Sequence, residues 1–175
     1  MKIRRATRED AASLAALAER TFRHTFAADN TARDMDLHCA AAFGPEIQRH
    51  EIDDPQIVTL VVEHDEALVA YAQLRSAAPA QASAKVVADR PLELLRFYVE
   101  ALHHGSGLAA ALMEEAVIVA REIGADVLWL GVWEHNPRAI RFYGKLGFAM
   151  CGEQTFLLGA DPQRDLVMAL RLLPQ

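Results

Sequence analysis

Cysteine is scarce in this sequence: the 175 residues include only Cys39 and Cys151, which form no CxxC pair. A disulfide framework needs several cysteines, and structural zinc sites need closely spaced ones. We therefore predict two free thiols in a reducing compartment. The seven histidines fall in no HExxH motif and in no spacing with cysteine that suits metal ligands, so no metal is expected.

Long apolar runs are also missing. No stretch approaches the roughly 18 consecutive apolar residues that a membrane span requires. The first ten residues, MKIRRATRED, contain no apolar core of a secretory signal, and the sequence shows no internal repeat or low-complexity tract. We expect a cytoplasmic protein without a membrane partner.

Positive charge is in deficit, with 18 Lys and Arg against 24 Asp and Glu and a net charge of −6. Because nucleic-acid phosphates are bound by clustered Lys and Arg, a nucleic-acid partner is not expected. The remaining composition, 52% apolar and 24% charged residues, is typical of a globular protein. The length suits one domain with a substantial core, and we predict a single domain over residues 1–175.

Hydrophobic periodicity predicts alternating strands and helices. Predicted strands cover 2–7, 57–65, 67–77, 92–99, 126–133, 151–159 and 165–172, with a loop around Asp161 and Pro162. Predicted helices cover 8–26, 31–43, 46–52, 107–123 and a short segment opening at Asn136 and closing at Gly147. The two strands that flank helix 107–123 should run parallel. The pattern therefore indicates a mixed sheet with helices on its faces.

The stretch HHGSGLAAALMEEA (103–116) places a glycine-rich turn between a strand and a helix. The first N–H groups of a helix lack intrahelical partners and carry partial positive charge. Gly105 and Gly107 would let the backbone turn tightly and approach a phosphate. The stretch lacks the Lys-Ser/Thr of a nucleotide P-loop and the third glycine of a dinucleotide site. The glycines alone leave a phosphate site and an ordinary loop both open.

The stretch LWLGVWEHNPRAIRFYGKLGF (128–148) resembles the GCN5-related N-acetyltransferase (GNAT) superfamily. The family pattern Asn-x-x-Ala-x-x-Phe-Tyr-x-x-x-Gly-Phe falls on Asn136, Ala139, Phe142, Tyr143, Gly147 and Phe148. The family's phosphate loop, Gln/Arg-x-x-Gly-x-Gly/Ala, falls on 104–109, with His104 in place of Gln or Arg. The resemblance implies an α/β GNAT fold: a twisted, mixed, mostly antiparallel sheet of about seven strands, with helices on both faces and a splayed parallel strand pair that holds the cofactor.

The resemblance also implies acetyl-CoA as cosubstrate and direct acetyl transfer to a small-molecule amine. Tyr143 would be the acid that protonates the thiolate, and Glu93 the base that accepts the proton of the amine. The alternative for Glu93 is an ion pair, for example with Arg96, or a place at an exposed strand end. The alternative for Tyr143 is plain packing of an aromatic ring.

Binding of acetyl-CoA is likewise implied by the resemblance. The pyrophosphate would meet the loop formed by His104, Gly105, Ser106, Gly107, Leu108 and Ala109. The pantetheine arm and the acetyl oxygen would meet backbone groups of Phe97, Tyr98 and Val99. Asn136 would bind the pantetheine arm or act as a plain N-cap before Pro137. Lys145 or Arg141 would meet the 3′-phosphate, or else each is a solvated charge on the helix surface.

Three segments, 21–43, 130–148 and 153–172, look like the bacterial PaiA-type spermidine/spermine N-acetyltransferases, which favours a polyamine acceptor. Asp29, Asp34 and Asp36 would then line an acceptor groove, or else form a solvated helix face. Other hypotheses are acetylation of a peptide N terminus or lysine, a non-catalytic acyl-CoA sensor, and a nucleotide-binding module. The superfamily resemblance also leaves room for a homodimer.

Overall fold

The computed structural model describes residues 1–76 and 86–172, in which strands and helices alternate. The strands are β1 Lys2–Arg5, β2 Ile57–His64, β3 Ala67–Arg75, β4 Pro91–Val99, β5 Val127–Trp133, β6 Ala149–Leu158 and β7 Asp161–Arg171. The α-helices are α1 Ala11–Phe26, α2 Ala32–Ala42, α3 Pro45–Asp53, α4 Leu108–Glu122 and α5 Pro137–Lys145. Residue 77, at the end of a predicted strand, and most of the following loop lie outside the described residues.

The seven strands form one sheet in the order β1-β2-β3-β4-β5-β7-β6. Neighbours are antiparallel except β4 and β5, which pair in parallel. This confirms the predicted mixed sheet. The parallel pairing covers only Pro91–Glu93 against Val127–Trp129. Beyond this point, which we call the fork, β4 and β5 separate.

A β-bulge lies in β4 just past the fork. Arg96 pairs with Gln73 of β3, but the next pair is Leu94 with Leu74, so Leu95 is an extra residue. A bulge bends its strand and increases the local twist. It therefore contributes to the divergence of β4 from β5.

Helices cover both faces of the sheet, and side chains alternate between the faces along each strand. We name the faces by their helices: α4 and α5 pack on the α4 face, α1 and α2 on the α1 face. In β5, Leu128, Leu130 and Val132 lie on the α4 face, and Trp129, Gly131 and Trp133 on the α1 face. By the same alternation, Glu93 of β4 and Asp165 of β7 lie on the α1 face.

The hairpin between β6 and β7 corrects one prediction. The turn consists of Gly159 and Ala160, not of Asp161 and Pro162. Gly159 has φ +60°, a left-handed conformation that glycine adopts without strain. Pro162 lies opposite Leu157 of β6 and is tolerated inside β7, because β5 pairs with β7 only from Asp165 onwards. The missing N–H of Pro162 therefore leaves no hydrogen bond to β5 unmade.

Two further predictions concern the cysteines and membrane-spanning helices. Cys39 is buried, Cys151 is exposed, and both are free thiols, as predicted. Among the helices in the described ranges, none is long and apolar enough to cross a bilayer.

Candidate active site

The separation of β4 and β5 opens a cleft of about 750 Å³. Its walls come from β4 and β5, the starts of α4 and α5, the end of α1, and the hairpin of β6 and β7. Of the residues that the sequence assigned to the site, those in the cleft lining are Glu93, Phe97, Tyr98, Val99, His104, Gly105, Ala109, Asn136 and Tyr143. The fork therefore brings most of the predicted site together.

The turn before α4 has the geometry of an anion-binding helix start. Gly105 and Gly107 have φ of +80° and +87°, conformations that glycine adopts without strain. A Cβ at either position would meet nothing within 4 Å, so the space beside this backbone is open. The Leu108 amide donates to Ser106 Oγ at 3.3 Å, whereas the amides of the next helical residues have no intrahelical acceptor.

His104 connects the end of β4 to the start of α5. Its Nδ1 lies 2.9 Å from Arg138 Nη1, and its Nε2 lies 2.8 Å from the Val99 carbonyl oxygen. Because a guanidinium only donates, Nδ1 accepts and Nε2 carries the proton that is donated to Val99. These two contacts fix one tautomer of the His104 ring, with the proton on Nε2. Its guanidinium partner Arg138, which the sequence analysis missed, lines the cleft.

Two motif residues of α5 face the cleft. Asn136 is the N-cap of α5, and its Oδ1 accepts a hydrogen bond from the Ala139 amide at 3.1 Å. This oxygen therefore has the capping role that was the alternative to binding the pantetheine arm. Tyr143 is buried among Phe97, Phe142 and Phe148. Burial raises the pKa of the Tyr143 hydroxyl above its usual value. It is therefore a neutral proton donor at physiological pH.

Glu93 lies at the fork and forms a buried ion pair. Its Oε2 accepts from Arg75 Nε at 2.8 Å and Nη2 at 2.6 Å. The expected alternative partner, Arg96, bonds instead to Glu51 and Gln73, each at 2.6 Å. Burial raises the pKa of the Glu93 carboxyl, and the nearby Arg75 opposes this rise. Glu93 is thus a buried carboxylate with increased basicity.

A second buried carboxylate in the cleft, Asp165 of β7, was missed by sequence reasoning. It is 7% exposed and lies directly opposite Gln154 of β6, whose side-chain amide hydrogen-bonds to it. Burial raises the pKa of Asp165 to about 6, and the Gln154 hydrogen bond opposes the rise. The only sequence feature that could have indicated this carboxylate is an acidic residue two positions before Val167, on the same face of the predicted strand.

Aromatic rings form the wall of the cleft on the α1 face. Phe26 packs edge-on against Trp133 with ring centroids 5.9 Å apart, and Phe22 lies 4.7 Å from Phe26. Trp133 and Asp165 are direct cross-strand neighbours. A carboxylate beside an indole ring is an environment that suits an organic cation.

Some predicted residues lie outside the cleft lining. Lys145 and Arg141 are exposed on α5. Asp36 pairs with Arg23, and Asp34 accepts from the Ala160 amide. Together with the exposed Asp29, these acidic residues form a surface rather than an acceptor groove. Within residues 1–76 and 86–172, no three His, Cys, Asp or Glu side chains cluster as metal ligands.

Comparison with known proteins identifies the family. Residues 14–148 match the model of the acetyltransferase (GNAT) family. An uncharacterised N-acetyltransferase of Mycobacterium tuberculosis is 37% identical over 94% of this chain and 99% of its own. One from Lactobacillus delbrueckii subsp. lactis is 31% identical over 99% and 98%. A crystal structure of PaiA N-acetyltransferase from Thermoplasma acidophilum, in complex with coenzyme A, has a TM-score of 0.78 at 22% identity, covering 97% and 98%; it shares the fold. The chain belongs to the acetyltransferase (GNAT) family and is an N-acetyltransferase.

Proposed function

We propose that the enzyme transfers the acetyl group of acetyl-CoA directly to a primary amine, and that the acceptor is a polyamine such as spermidine or spermine. The observation that carries this proposal is the fork. There, the open helix start of α4, the Tyr143 hydroxyl and the Glu93 carboxylate face a single cleft. Acetyl-CoA supplies the thioester, and the protein supplies its alignment and the proton transfers.

The residues at the fork fit acetyl-CoA. A Cβ at Gly105 or Gly107 would meet nothing within 4 Å, so there is room for a pyrophosphate beside the backbone at the start of α4. Beyond Glu93, the edge of β4 that faces β5 has no strand partner, so backbone groups of Phe97 and Tyr98 are available to the pantetheine arm. The Val99 carbonyl is already occupied by His104. We call the part of the cleft beside His104, Gly105 and Arg138 the phosphate end. We propose that Arg138 supplies the positive charge that faces the phosphates of coenzyme A there.

Proton transfer away from the acceptor is assigned to Glu93. An alkyl ammonium has a pKa of about 10.4 and must lose a proton before it can attack a thioester. A carboxylate whose pKa is raised is a better proton acceptor than an ordinary one. Arg75 holds this carboxylate at the fork, so that it takes up the proton directly or through a water molecule.

Proton transfer to the leaving group is assigned to Tyr143. As the nitrogen–carbon bond forms and the carbon–sulfur bond breaks, the hydroxyl gives its proton to the departing thiolate. The proton that the nitrogen loses on becoming an amide restores the hydroxyl. This role needs no covalent acyl-enzyme, and the buried setting keeps the hydroxyl protonated until the thiolate forms.

The polyamine assignment is supported by charge and aromatic surface. The cleft contains the buried carboxylates Glu93 and Asp165 and the ring of Trp133, which together suit a flexible cation. The PaiA-type resemblance of the sequence points the same way.

The test is coenzyme A release from acetyl-CoA with spermidine, spermine, diamines, aminoglycosides, amino acids and short peptides. Selective turnover of polyamines is expected. Turnover of peptides alone would favour the protein-acetyltransferase alternative and contradict the polyamine assignment. Acetyl-CoA binding without turnover of any amine would favour the sensor alternative.

The variant Tyr143→Phe tests the acid. We expect kcat to fall by roughly 100-fold or more, with the affinity for coenzyme A unchanged. Tyr71→Phe is the matched control, because the Tyr71 hydroxyl is buried, has no hydrogen-bond partner in the described ranges, and lies outside the cleft lining. Equal rates for Tyr143→Phe and Tyr71→Phe would refute the acid role.

A further inference from the structure

Asp165 is a buried carboxylate without a cation. Among the described residues, no Lys, Arg or His nitrogen forms an ion pair with it, and its hydrogen-bond partner is the neutral amide of Gln154. The other buried or half-buried carboxylates of the cleft region are neutralised: Glu93 by Arg75 and Glu51 by Arg96. A charge that is removed from water is unfavourable unless a partner compensates it. Within residues 1–76 and 86–172 this partner is missing, and a cation bound in the cleft would supply it.

Gln154 supplies a second acceptor at the same place. Its Oε1 is fully buried and accepts no hydrogen bond within residues 1–76 and 86–172. The carboxylate of Asp165 and, once the Gln154 side chain turns toward the cleft, this amide oxygen therefore offer acceptors for a donor with several N–H groups. An ammonium group has three such donors and no acceptor.

Gly131 leaves the space in which this pair lies. A Cβ at Gly131 would clash with Gln154 Nε2 and would lie 3.0 Å from Asp165 Oδ2. The contact with Gln154 would be closer than real Cβ contacts and the contact with Asp165 would be tight, so any side chain at this position would displace the Gln154 amide and press on the Asp165 carboxylate. The absence of a side chain in the middle of β5 is therefore what allows Asp165 and Gln154 to lie over the strand.

The pair lies at some distance from the fork. In β5, Trp129 is the neighbour of Glu93 and Trp133 is the neighbour of Asp165. Four residues of a strand span roughly 13 Å. Both carboxylates are on the α1 face and line the same cleft. A molecule whose reacting nitrogen is at the fork would therefore reach Asp165 with a second, distant group.

We propose that Asp165 and Gln154 bind a second ammonium group of the acceptor, so that the enzyme selects amines with at least two cationic nitrogens. This inference rests on the proposed function, because it requires an amine that reacts at the fork. Trp133 contributes a ring beside the carboxylate, which favours an organic cation over a strongly hydrated metal ion. The methylene chain between the two nitrogens would lie along the aromatic wall of the cleft.

The experiment compares two acceptors of the same length, diaminoheptane and octylamine, in which a methyl group replaces the second amine. For the wild type, the KM for diaminoheptane should be lower. Asp165→Asn should raise that KM by roughly 10- to 100-fold. It should leave the KM for octylamine, the KM for acetyl-CoA and the kcat at saturating diamine within about twofold. Asp161→Asn, an exposed change on the same strand outside the cleft lining, is the control and should change none of these values.

Gly131→Ala is the second variant, because it keeps every charge and displaces the pair. It should also raise the KM for diaminoheptane more than that for octylamine. Equal KM values for the two amines in the wild type, or an equal loss for both amines in Asp165→Asn, would overturn the inference. Failure of the wild type to acetylate any amine would instead overturn the proposed function. Thermal unfolding of each variant shows whether it is folded.

Discussion

The two walls of the cleft each carry one buried carboxylate on the same face of the sheet, but only one of them is neutralised. Glu93, on β4, is held by two nitrogens of Arg75. Asp165, on β7, has the neutral amide of Gln154 as its partner and no cation among the described residues. Burial raises the pKa of both groups. The difference is therefore in the partner and not in the degree of burial.

The comparison shows how charge in a cleft can be divided between the fold and the ligand. An ion pair such as that of Glu93 exists whether or not a substrate is bound, so it fixes a group in place for chemistry. A carboxylate without a cation destabilises the free enzyme, and a bound cation removes that penalty. We therefore assign proton transfer to the β4 wall and recognition to the β7 wall. The predictions below test this division.

The largest expected effect is on turnover at the β4 wall. Glu93→Gln removes the proton acceptor while leaving an oxygen that can accept from Arg75. We expect kcat to fall by roughly 100-fold or more, with little change in the KM for diaminoheptane. Steady-state rates over a range of amine concentrations measure both values. The reverse pattern, a raised KM with an unchanged kcat, would exchange the roles of the two walls.

The pH profile separates this role from a structural one. A base must be deprotonated, so kcat falls as the pH drops through the pKa of Glu93. Burial raises this pKa, so the fall should begin at a higher pH than for an ordinary glutamate. The groups that oppose the rise are Arg75 and, more weakly, Arg96. Glu93→Gln should lose this acidic limb, whereas Asp165→Asn should keep it.

A smaller effect of opposite sign is expected in stability at the β7 wall. Asp165 titrates at about 6 in the folded protein and near 3.9 in an unfolded chain. A raised folded pKa means that the ionised group destabilises the fold, and the penalty is complete above the folded pKa. At pH 7, Asp165→Asn should therefore increase the free energy of unfolding by about 2 to 3 kcal/mol.

This gain should shrink to about 0.5 kcal/mol as the pH falls from 7 to about 4, because Asp165 is then protonated in the folded state and about half protonated in the unfolded chain. Denaturant unfolding at the two pH values measures it, with Asp161→Asn as the exposed control on the same strand. Added diaminoheptane should stabilise the wild type more than Asp165→Asn. A variant less stable than the wild type at pH 7 would show that Asp165 supports the fold and is not held for a ligand.

The difference between the walls also explains what the sequence could predict. The strand, glycine turn and helix around Gly105, and the Asn136 cap before α5, depend on local chemistry that neighbouring residues specify. Such features were predicted correctly, as was the mixed sheet. The roles of Tyr143 and Glu93 remain predictions that rest on the family resemblance and on their place at the fork.

What could not be predicted depends on distant residues. The partner of Glu93 is Arg75 because the bulge at Leu95 shifts the pairing of β4 with β3 by one residue. The burial of Asp165 depends on the place of β7 between β5 and β6 and on the missing side chain of Gly131. None of these conditions is visible in the residues around Asp165 itself.

The smallest expected effect is at the phosphate end of the cleft, where the charged groups are exposed. Arg138→Met removes the hydrogen-bond donor to His104 Nδ1. The imidazole is then no longer held in the tautomer that donates from Nε2 to the Val99 carbonyl oxygen. We expect the affinity for coenzyme A to fall by roughly threefold to tenfold, less at high salt because exposed charges are screened. Calorimetric titration at two salt concentrations measures this change.

Arg141→Met and Lys145→Met are the matched controls for Arg138→Met. Both remove one exposed cation from the same helix, but neither residue lines the cleft. They should change the affinity for coenzyme A less than Arg138→Met does, and none of the three should alter the preference for diaminoheptane over octylamine. A larger loss of affinity in Lys145→Met than in Arg138→Met would indicate that the 3′-phosphate binds at the end of α5, as the family resemblance implies. An altered amine preference in Arg138→Met would mean that the phosphate end and the β7 wall do not act independently.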